Sequence, residues 1–517
     1  MSRGMLSIKT VSKGIVSVGT WSATKLLVTG LILPLYSRLL GIEGYGQYAY
    51  YVALLLLASQ PANCGMRQTL TRYLAERTED HAWHRQMARF AGCVNAVAAG
   101  LVGVIVASWL LSSLPLEFRS FLLTAVVIGL LWSEQLLQHA GGILYGLHRE
   151  EQATLPASLG IVFGGAFGVG LAAAGFGVLG ALSGMLAAGI IVAVVTMCLA
   201  QRALSGSGER ECERPLPRRE LLQFGLSSMA YAGIAMTLYS IDVVLVRHFA
   251  GDQQTGLYAA AVQWSEFVWF LPIAIEGVML QTTARLWVQG QVDDITQLVS
   301  RLMRYVALTT AFLLLFVLVF SEQILTLYFG PEFTEAAVPL QLLVPGAFAF
   351  SLARVIRPVI QGRGWVMTLL KVVVAATVVN IALNVVLVPS WGAAGASVAT
   401  SVSFIGVAIA YVRLLQVEGA HPFQSFAAGR FIVLCAITLA VLVPIPWAIS
   451  SSWMALMIGG LLALVLYWTG AFWLGLLRVR ELERIVESLP GPLHRLGIKL
   501  MRLFQPMLVR LDAIALG

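Results

Sequence analysis

The sequence predicts an all-α polytopic membrane protein with about fourteen transmembrane helices. We expect two six-helix lobes, parallel repeats around a central cavity, plus two extra C-terminal helices. Composition is the first indication: 58% of the 517 residues are hydrophobic, only 12% are charged, and the mean hydropathy is +0.82. A water-soluble protein of this composition would expose most of its apolar residues. Long apolar runs and an internal repeat are the other two indications.

The apolar runs recur from one end of the chain to the other. Examples are Ala91 to Leu111, Ile161 to Leu199, Val306 to Phe320 and Val433 to Trp473. A helix of about 20 residues crosses the hydrocarbon core, so splitting the longer runs at glycines, prolines and charges gives about fourteen spans. The first run is longer than a signal peptide and lacks a suitable cleavage site, so we expect it to be the first span.

The cysteines are expected to form neither a disulfide nor a metal site. They are scattered singly along the chain and lack the C-x-x-C spacing of a metal or redox site. They are Cys64, Cys93, Cys198, Cys212 and Cys435.

The lysines and arginines predict that both termini are cytoplasmic. With the N-terminus inside, 29 of the 34 basic residues fall on the cytoplasmic side, as the positive-inside rule requires. The net charge of +8 then reflects topology rather than nucleic-acid binding.

A polar, glycine-rich segment occurs twice. Its first copy is SRLLGIEGYGQYAYY, from Ser37 to Tyr51, and its weaker second copy is VRHFAGDQQTGLYAA, from Val246 to Ala260. Matches in the same order at a nearly constant offset predict two repeats. Because each repeat is expected to contain an even number of spans, both copies have the same orientation. They are then related by an axis along the membrane normal. Further pairs, at offsets of 211 to 216 residues, are Pro61 with Pro272, Gln68-Thr69 with Gln281-Thr282, Ile143–Gly146 with Val359–Gly362, and Gly177–Ala181 with Gly392–Ala396.

The repeat divides the chain into predicted segments. They are an N-lobe of spans 1 to 6 at 1–200, a cytoplasmic linker at 201–220, a C-lobe of spans 7 to 12 at 221–415, spans 13 and 14 at 416–477, and a cytoplasmic amphipathic tail at 478–517. In the tail, Arg495, Lys499 and Arg502 lie beside an apolar face, so we expect it to lie on the membrane surface. A partner-binding role is the alternative.

Two lobes around a central cavity are typical of transporters that alternate their access between the two membrane faces. An enzyme acting on the outer face would need a sizeable outer loop. The longest outer loop predicted here runs from about Ser321 to Thr334, so we expect no enzymatic activity.

Ionisable residues within the predicted spans are the candidate functional residues. Each costs roughly 2.5 to 3.5 kcal/mol at the bilayer centre and usually faces a cavity or a partner. The second-lobe positions equivalent to the two cations are the apolar Ile234 and Leu280, so we expect these intramembrane cations only in the first lobe. The ionisable set is Lys25, Arg67, Glu134, Asp242 and Glu276, with Gln60, Asn63, His139, Asn380 and Asn384 as polar groups at similar depths.

Each charged residue also has a structural interpretation. Lys25 could pair with Glu134 or Asp242 inside the bundle. Arg67 could reach the membrane interface and serve as an anchor.

Two further pairs of residues have a structural interpretation first. Arg354 and Arg357 are expected to be positive-inside residues at a helix end, unless Arg354 reaches the cavity. Pro61 and Pro272 are expected to kink spans 2 and 8, a packing feature that could also act as a hinge.

The order of several short segments resembles a known family. SRLLGIEGYGQYAYY followed by NCGMRQTLTRYLAE resembles the opening of Wzx-type O-antigen and polysaccharide flippases. These flippases form the polysaccharide transporter branch of the multidrug/oligosaccharidyl-lipid/polysaccharide (MOP) exporter superfamily. YSIDVVLVRHFAGDQQTGLYAAA is similar to that family's seventh span and the start of its eighth. The resemblance covers nearly the whole chain.

The resemblance implies a multi-pass flippase of the bacterial cytoplasmic (inner) membrane. Its substrate would be an undecaprenyl-diphosphate-linked oligosaccharide, an O-antigen or exopolysaccharide repeat unit. Alternating access, driven by an ion gradient, would carry this lipid from the cytoplasmic to the outer leaflet. No cofactor is implied, and whether a polysaccharide polymerase and a chain-length regulator are partners is left open.

The resemblance also assigns roles to the candidate residues. Fixed cations can replace the water that a diphosphate loses in the membrane. Glu266 and Glu276 stand in span 8, where related cavities carry a cation, which argues against a symmetric cationic clamp. Substrate-binding candidates are Lys25, Arg67, Asn63, Gln60 and Arg354, and ion-coupling candidates are Asp242, Glu134 and Glu276.

Three other functions were weighed against this one. A multidrug or cation exporter of the same superfamily would favour an acidic or aromatic cavity, and Lys25 and Arg67 argue against it. A membrane-embedded glycan polymerase or ligase would need the large outer loop. A structural scaffold would not need several buried charges.

Overall fold

The computed structural model describes residues 8–76, 81–113, 117–205, 216–424, 426–478 and 481. Within these ranges, the side chains at 8–29, 81, 274, 277, 278 and 281 are not part of the description. The side chain of Lys25, Cys212 and nearly all of the predicted amphipathic tail therefore lie outside the described residues.

All regular structure in the described ranges is helical, which confirms the predicted all-α class. A π-helical turn (Ala172–Phe176) precedes α6, and a 3₁₀ turn (Pro331–Ala336) precedes α11. The helices are α1 (Ile8–Asn63), α2 (Met66–Glu76), α3 (His81–Ser113), α4 (Phe118–Gly146), α5 (Glu150–Leu171), α6 (Gly177–Leu204), α7 (Arg218–Phe267), α8 (Phe270–Val288), α9 (Val292–Val319), α10 (Ser321–Tyr328), α11 (Ala337–Gly362), α12 (Val366–Val417), α13 (Ala428–Leu442), α14 (Ile445–Ala448) and α15 (Ser452–Trp473).

Glycines divide the longest helical segments. At 1.5 Å per residue, the 56 residues of α1 would extend about 84 Å, more than twice the hydrocarbon thickness. Gly41 interrupts α1 with φ 67° and ψ −179°, and Gly251 interrupts α7 with φ 85° and ψ −179°. Gly177 at the start of α6 and Gly392 within α12 share another conformation with positive φ, at 55° and 54°. Only glycine adopts these conformations at little cost.

These breaks account for the predicted number of spans. Nine segments of the described chain are long and apolar enough to cross a membrane. Three of them are 50 to 55 residues long and contain the glycine breaks, so each supplies two spans. Together with two from α1, the total is the fourteen predicted.

The two copies of the glycine-rich segment pack on each other reciprocally. A Cβ atom on Gly46 would collide with the carbonyl oxygen of Asp252, and one on Gly256 would collide with that of Ile42. Both pairs of matching residues, Ile42 with Asp252 and Gly46 with Gly256, are 210 residues apart. The glycines are therefore needed because two equivalent helix starts approach at backbone contact distance, which accounts for their presence in both copies.

The described helices form two compact units. Unit 1 comprises Met1–Ala259 and Ile381–Ala393, and unit 2 comprises Ala260–Asn380 and Ala394–Gly517. The core of unit 1 contains the fully buried Trp83, Met87 and Tyr51. The predicted lobe boundaries at 200, 220 and 415 stay predictions.

In unit 2, the two extra C-terminal spans pack on α9. The buried Tyr467 of α15 donates a hydrogen bond to the carbonyl oxygen of Leu308 at 2.9 Å. Leu434 of α13 belongs to the same buried cluster. This packing attaches the appended helices to the repeat.

Candidate functional site

Four polar residues of α4 provide the framework of a polar cluster in unit 1. Glu134 and Gln138 are four residues apart and share one helix face, while Gln135 and His139 share the neighbouring face. The helix is otherwise apolar and long enough to span the membrane. It therefore presents two polar faces at membrane depth.

The start of α2 positions Arg67. The chain turns between α1 and α2 at Cys64 and Gly65, both in the left-handed region, with φ 50° and 68°. A Cβ on Gly65 would collide with Gly225 of α7. The Asn63 side-chain oxygen then accepts a hydrogen bond from the Arg67 backbone N–H at 3.0 Å, which caps the first turn of α2.

The guanidinium group of Arg67 is bound by an amide rather than a carboxylate. Its Nη1 donates to Oε1 of Gln138 at 2.7 Å, and Nε2 of Gln138 donates to Oε1 of Glu134 at 2.6 Å. The guanidinium carbon also lies 5.6 Å from the ring centroid of Tyr145. Among the described residues, Arg67 forms no ion pair, so its positive charge is only partly compensated, through the intervening amide.

Hydrogen bonds from the neighbouring face of α4 connect this cluster to α1 and α3. Nδ2 of Asn63 donates to Oε1 of Gln135 at 3.4 Å, and Nε2 of Gln135 donates to the carbonyl oxygen of Ser59 at 3.2 Å. Asn95 of α3 donates to the carbonyl oxygen of Gln135 at 3.3 Å. The sequence analysis predicted Asn63 as a site residue but did not predict Gln135 or Gln138. Their positions one and four residues after Glu134 on the same helix could have identified them.

Asp242 lies in a second cluster of unit 1. Its side chain is buried, and it accepts hydrogen bonds at 2.8 Å from the hydroxyl of Tyr258 and from Nδ2 of Asn384. Asn384 was among the predicted polar groups, whereas Tyr258 was not. Tyr258 belongs to the second glycine-rich segment, 210 residues after Tyr48.

The second glycine-rich segment also contains an ionic cluster that the sequence did not indicate. Nε of Arg247 donates to Oδ1 of Asp252 at 2.7 Å, and Nε2 of Gln47 donates to Oδ2 of the same carboxylate at 2.9 Å. The Arg247 guanidinium lies 3.9 Å from the ring centroid of Tyr50. These contacts join the two copies of the segment by charge as well as by close packing.

Unit 2 contains a buried cluster of a different composition. Nη1 of Arg354 lies 3.3 Å from Oε2 of Glu276, and Arg357 forms an ion pair with Oε1 of the same carboxylate. The Arg354 guanidinium also lies 4.9 Å from the ring centroid of Trp269. Partly buried cations thus occur in unit 2 as well. The expectation that intramembrane cations occur only in the first lobe stays a prediction. Sequence reasoning placed these arginines at a helix end because it could not see their shared carboxylate.

The remaining candidates lie near these clusters or outside the description. Gln60 is half-buried, donates a long 3.5 Å hydrogen bond to Ser59, and faces Gly233 of α7. Pro61 lies three residues before the break at Cys64, and Pro272 lies in the first turn of α8. Both prolines thus stand beside helix breaks, while their role as hinges stays a prediction. Lys25 lies in α1, but its side chain falls outside the described residues.

Solved structures share the fold. The lipid II flippase MurJ in an inward closed conformation matches with a TM-score of 0.71 and 12% identity, over 87% of this chain and 98% of that one. A MOP superfamily transporter from Pyrococcus furiosus matches with a TM-score of 0.54 and 14% identity, over 81% and 98%. An inward-facing multidrug resistance MATE family transporter matches with a TM-score of 0.53 and 14% identity, over 80% of this chain and 99% of that one. The predicted fold class is confirmed.

Two curated proteins match in sequence over part of their length. An uncharacterized membrane protein of Methanocaldococcus jannaschii is 21% identical over 276 residues, which are 52% of this chain and 54% of the relative. A probable low-salt glycan biosynthesis flippase of Haloferax volcanii is 26% identical over 196 residues, 37% of this chain and 39% of the relative. The chain thus spans about half or less of the length of these relatives.

A family model described as polysaccharide biosynthesis protein matches residues 35–338. This range includes the first glycine-rich segment, the Arg67 cluster, and Asp242 with Tyr258, and it covers more than half of the chain. This match confirms the polysaccharide part of the resemblance, and the chain belongs to the polysaccharide biosynthesis protein family.

Proposed function

We propose that this protein is a flippase for an undecaprenyl-diphosphate-linked oligosaccharide, an O-antigen or exopolysaccharide repeat unit. It carries this lipid from the cytoplasmic to the outer leaflet of the bacterial inner membrane by alternating access, with both termini cytoplasmic. Family membership supports the proposal, as do the similarity to a probable glycan biosynthesis flippase and the fold shared with a lipid II flippase.

The observation that carries the proposal is the bonding of Arg67. A guanidinium in a buried ion pair is neutralised, and removing its partner typically costs about 3 to 5 kcal/mol. Arg67 instead donates to the neutral amide of Gln138. Exchanging that amide oxygen for a phosphate oxygen breaks no ion pair and forms a stronger, charge-assisted hydrogen bond.

The groups around Arg67 suit the sugar next to the diphosphate. Asn63 and Gln138 offer amide donors and acceptors, and Gln60 adds another on the same stretch of α1. Sugar hydroxyls both donate and accept hydrogen bonds, so amides can bind them without a fixed charge. The ring of Tyr145, already beside the guanidinium, supplies an apolar face.

We assign ion coupling to Asp242 and Glu134 rather than to Glu276. Asp242 receives hydrogen bonds from Tyr258 and Asn384, and Glu134 receives one from Gln138. Glu276 instead compensates two arginines. Protonation of Glu276 would instead remove the negative charge that Arg354 and Arg357 share.

The test measures leaflet exchange of a diphosphate-linked lipid oligosaccharide in proteoliposomes. We expect the intact protein to move the lipid and Arg67→Ala to slow it at least tenfold, because the phosphate loses its charged donor. Arg67→Lys should restore part of the rate. The matched control is Arg72→Ala, since Arg72 lies on the same helix but is about half exposed and pairs with Glu76.

Each outcome decides a different part of the proposal. Equal loss in the Arg67 and Arg72 variants would contradict the assignment of Arg67 while leaving the flippase activity intact. Absence of lipid exchange by the intact protein, together with transport of an organic cation, would replace the flippase with a multidrug or cation exporter.

A further inference from the structure

A groove of about 520 Å³ lies between α3, α4 and α6 in unit 1. It shares Gln135 and His139 with the polar faces of α4, while Arg67 and Gln138 are not among its lining residues. It begins near the ends of these helices, at Arg85, Arg89 and Gln201, and extends inward to Asn95 and His139. We call it the lateral groove. The proposed flippase activity assigns no role to it. Its walls also include Ala88, Gly92, Ala96, Trp132, Gln135, Leu136, Ile143, Met197, Leu204 and Ser205.

The chemistry of the lateral groove changes with depth. Arg85 and Arg89 lie four residues apart and therefore share one face of α3. Asn95 lies six residues beyond Arg89, or about 9 Å further along the helix axis. Positive charge at the groove entrance thus gives way to neutral polar groups and then to apolar walls, the same order of groups as in an anionic phospholipid.

Two polar groups in the deeper part have unused hydrogen-bonding atoms. Asn95 is only 4% exposed, and its Oδ1 has no hydrogen-bond partner among the described residues. Nδ1 of His139 likewise has none within the described chain. A buried polar atom of this kind costs about 1 to 3 kcal/mol when it stays unpaired. These two side chains therefore favour an occupant with polar atoms below its charged group.

The repeat supplies an internal comparison. Unit 2 has a groove of about 410 Å³ that includes Phe348, Leu352 and Gln416. These residues lie 215 to 216 positions after Trp132, Leu136 and Gln201 of the lateral groove. The apolar wall thus occurs in both copies.

The polar groups occur in only one copy. In the same register, Ser351 and Val355 replace Gln135 and His139, and the unit 2 groove is apolar except for Arg413 and Gln416. The amide and imidazole groups of the lateral groove are therefore not a general consequence of the repeat.

We propose that the lateral groove binds one anionic glycerophospholipid from the surrounding bilayer. Its phosphate lies between Arg85 and Arg89, its ester groups lie at the depth of His139 and Asn95, and one acyl chain follows Trp132 and Leu136. Trp132 and Leu136 are 42% and 39% exposed, so an acyl chain can reach them from the lipid side. A polyprenyl phosphate is a poorer match, because its chain is apolar directly after the phosphate and leaves Asn95 and His139 unpaired.

The first experiment is native mass spectrometry of the full-length protein, purified in detergent and supplied with phosphatidylglycerol or phosphatidylethanolamine. We expect one retained phosphatidylglycerol per protein and at least fivefold less retention of phosphatidylethanolamine. The double variant Arg85→Ala/Arg89→Ala should lose the retained lipid. The matched control is Arg149→Ala/Arg219→Ala, which removes two exposed arginines of unit 1 from outside the groove.

The second experiment locates the acyl chain. Phosphatidylglycerol with brominated acyl chains should quench part of the tryptophan fluorescence, and Trp132→Phe should remove that part. This variant retains both arginines, so it reports on the groove even if the double arginine variant folds poorly.

Three results would overturn the proposal. They are equal retention of the two phospholipids, unchanged retention in the Arg85/Arg89 variant, and quenching that does not depend on Trp132. Displacement of phosphatidylglycerol by an equimolar polyprenyl phosphate would overturn the choice of occupant. None of these measurements depends on transport, so they can fail without affecting the proposed flippase activity.

Discussion

The two repeats hold their buried arginines in different ways. In unit 1, Arg67 donates to Gln138, which separates it from Glu134. In unit 2, Arg354 and Arg357 share the carboxylate of Glu276. In the first arrangement an amide separates the arginine from its carboxylate, whereas in the second a directly bonded carboxylate offsets one of two positive charges.

The two arrangements use matching positions of the repeat. Arg354 lies 216 residues after Gln138, the offset that relates Gly146 to Gly362. Glu276 lies 213 residues after Asn63, the offset that relates Gln68-Thr69 to Gln281-Thr282. The two positions that hold an ion pair in unit 2 therefore hold neutral amides in unit 1. The two units therefore share these repeated positions but differ in the charge of the residues that occupy them.

The largest expected effect comes from Glu276→Gln. Removing this carboxylate takes away the counter-charge that the partly buried Arg354 and Arg357 share, at a cost of about 3 kcal/mol. The matched change in unit 1, Glu134→Gln, keeps an acceptor oxygen for the Gln138 amide and removes only its charge, so it should cost about 1 kcal/mol. Thermal unfolding in detergent compares the two variants. An equal loss of stability would mean that the two clusters do not differ as described.

The second prediction tests the partly uncompensated charge of Arg67 by giving it a carboxylate. Gln138→Glu should leave thermal stability nearly unchanged, because repulsion from the carboxylate of Glu134 offsets its pairing with Arg67. It should slow the proposed lipid exchange about tenfold, since about 1.4 kcal/mol of new ion pairing must be broken before a phosphate can bind. Gln138→Asn, which keeps the amide, serves as the control for altered side-chain length. Unchanged exchange by the Gln138→Glu variant would rule out a requirement for a partly uncompensated Arg67.

The smallest expected effect comes from two matching tyrosines. Tyr258→Phe removes the hydroxyl that donates to Asp242 at 2.8 Å, and it should lower the free energy of unfolding by about 1 to 2 kcal/mol. Tyr48→Phe removes a hydroxyl whose contact is the sulfur of Met185 at 3.4 Å, a weak acceptor, and should cost less. Thermal unfolding measures both. A larger loss for Tyr48→Phe would contradict the assignment of Tyr258 to the Asp242 cluster.

Part of the candidate site could be predicted from sequence. A charged residue inside an apolar run is visible without any structure, because burying it is costly. Arg67, Glu134, Asp242 and Glu276 were recognised in this way. The residues that pair with them could not be identified from sequence, since Gln138, Tyr258 and Asn384 belong to helices or segments that the chain brings close only on folding.

The same reasoning explains why the interpretation of Arg354 changed. Its position near the end of an apolar run favoured a positive-inside residue at the membrane surface. In the structure its side chain is only 13% exposed and paired with Glu276. Hydropathy reports depth along one helix, whereas burial depends on which neighbouring helix faces the side chain.

The sequence by itself determined the membrane class, the approximate number of spans and the order of the repeated segments. These features depend on hydrophobicity and on backbone chemistry, and both are local: apolar residues enter the bilayer, and glycines permit left-handed breaks. Only the tertiary structure decided that Arg67 is bound by an amide, that Glu276 is shared by two arginines, and that Asn95 and His139 line one groove. Such pairings depend on contacts between residues far apart in the chain, which local periodicity does not contain.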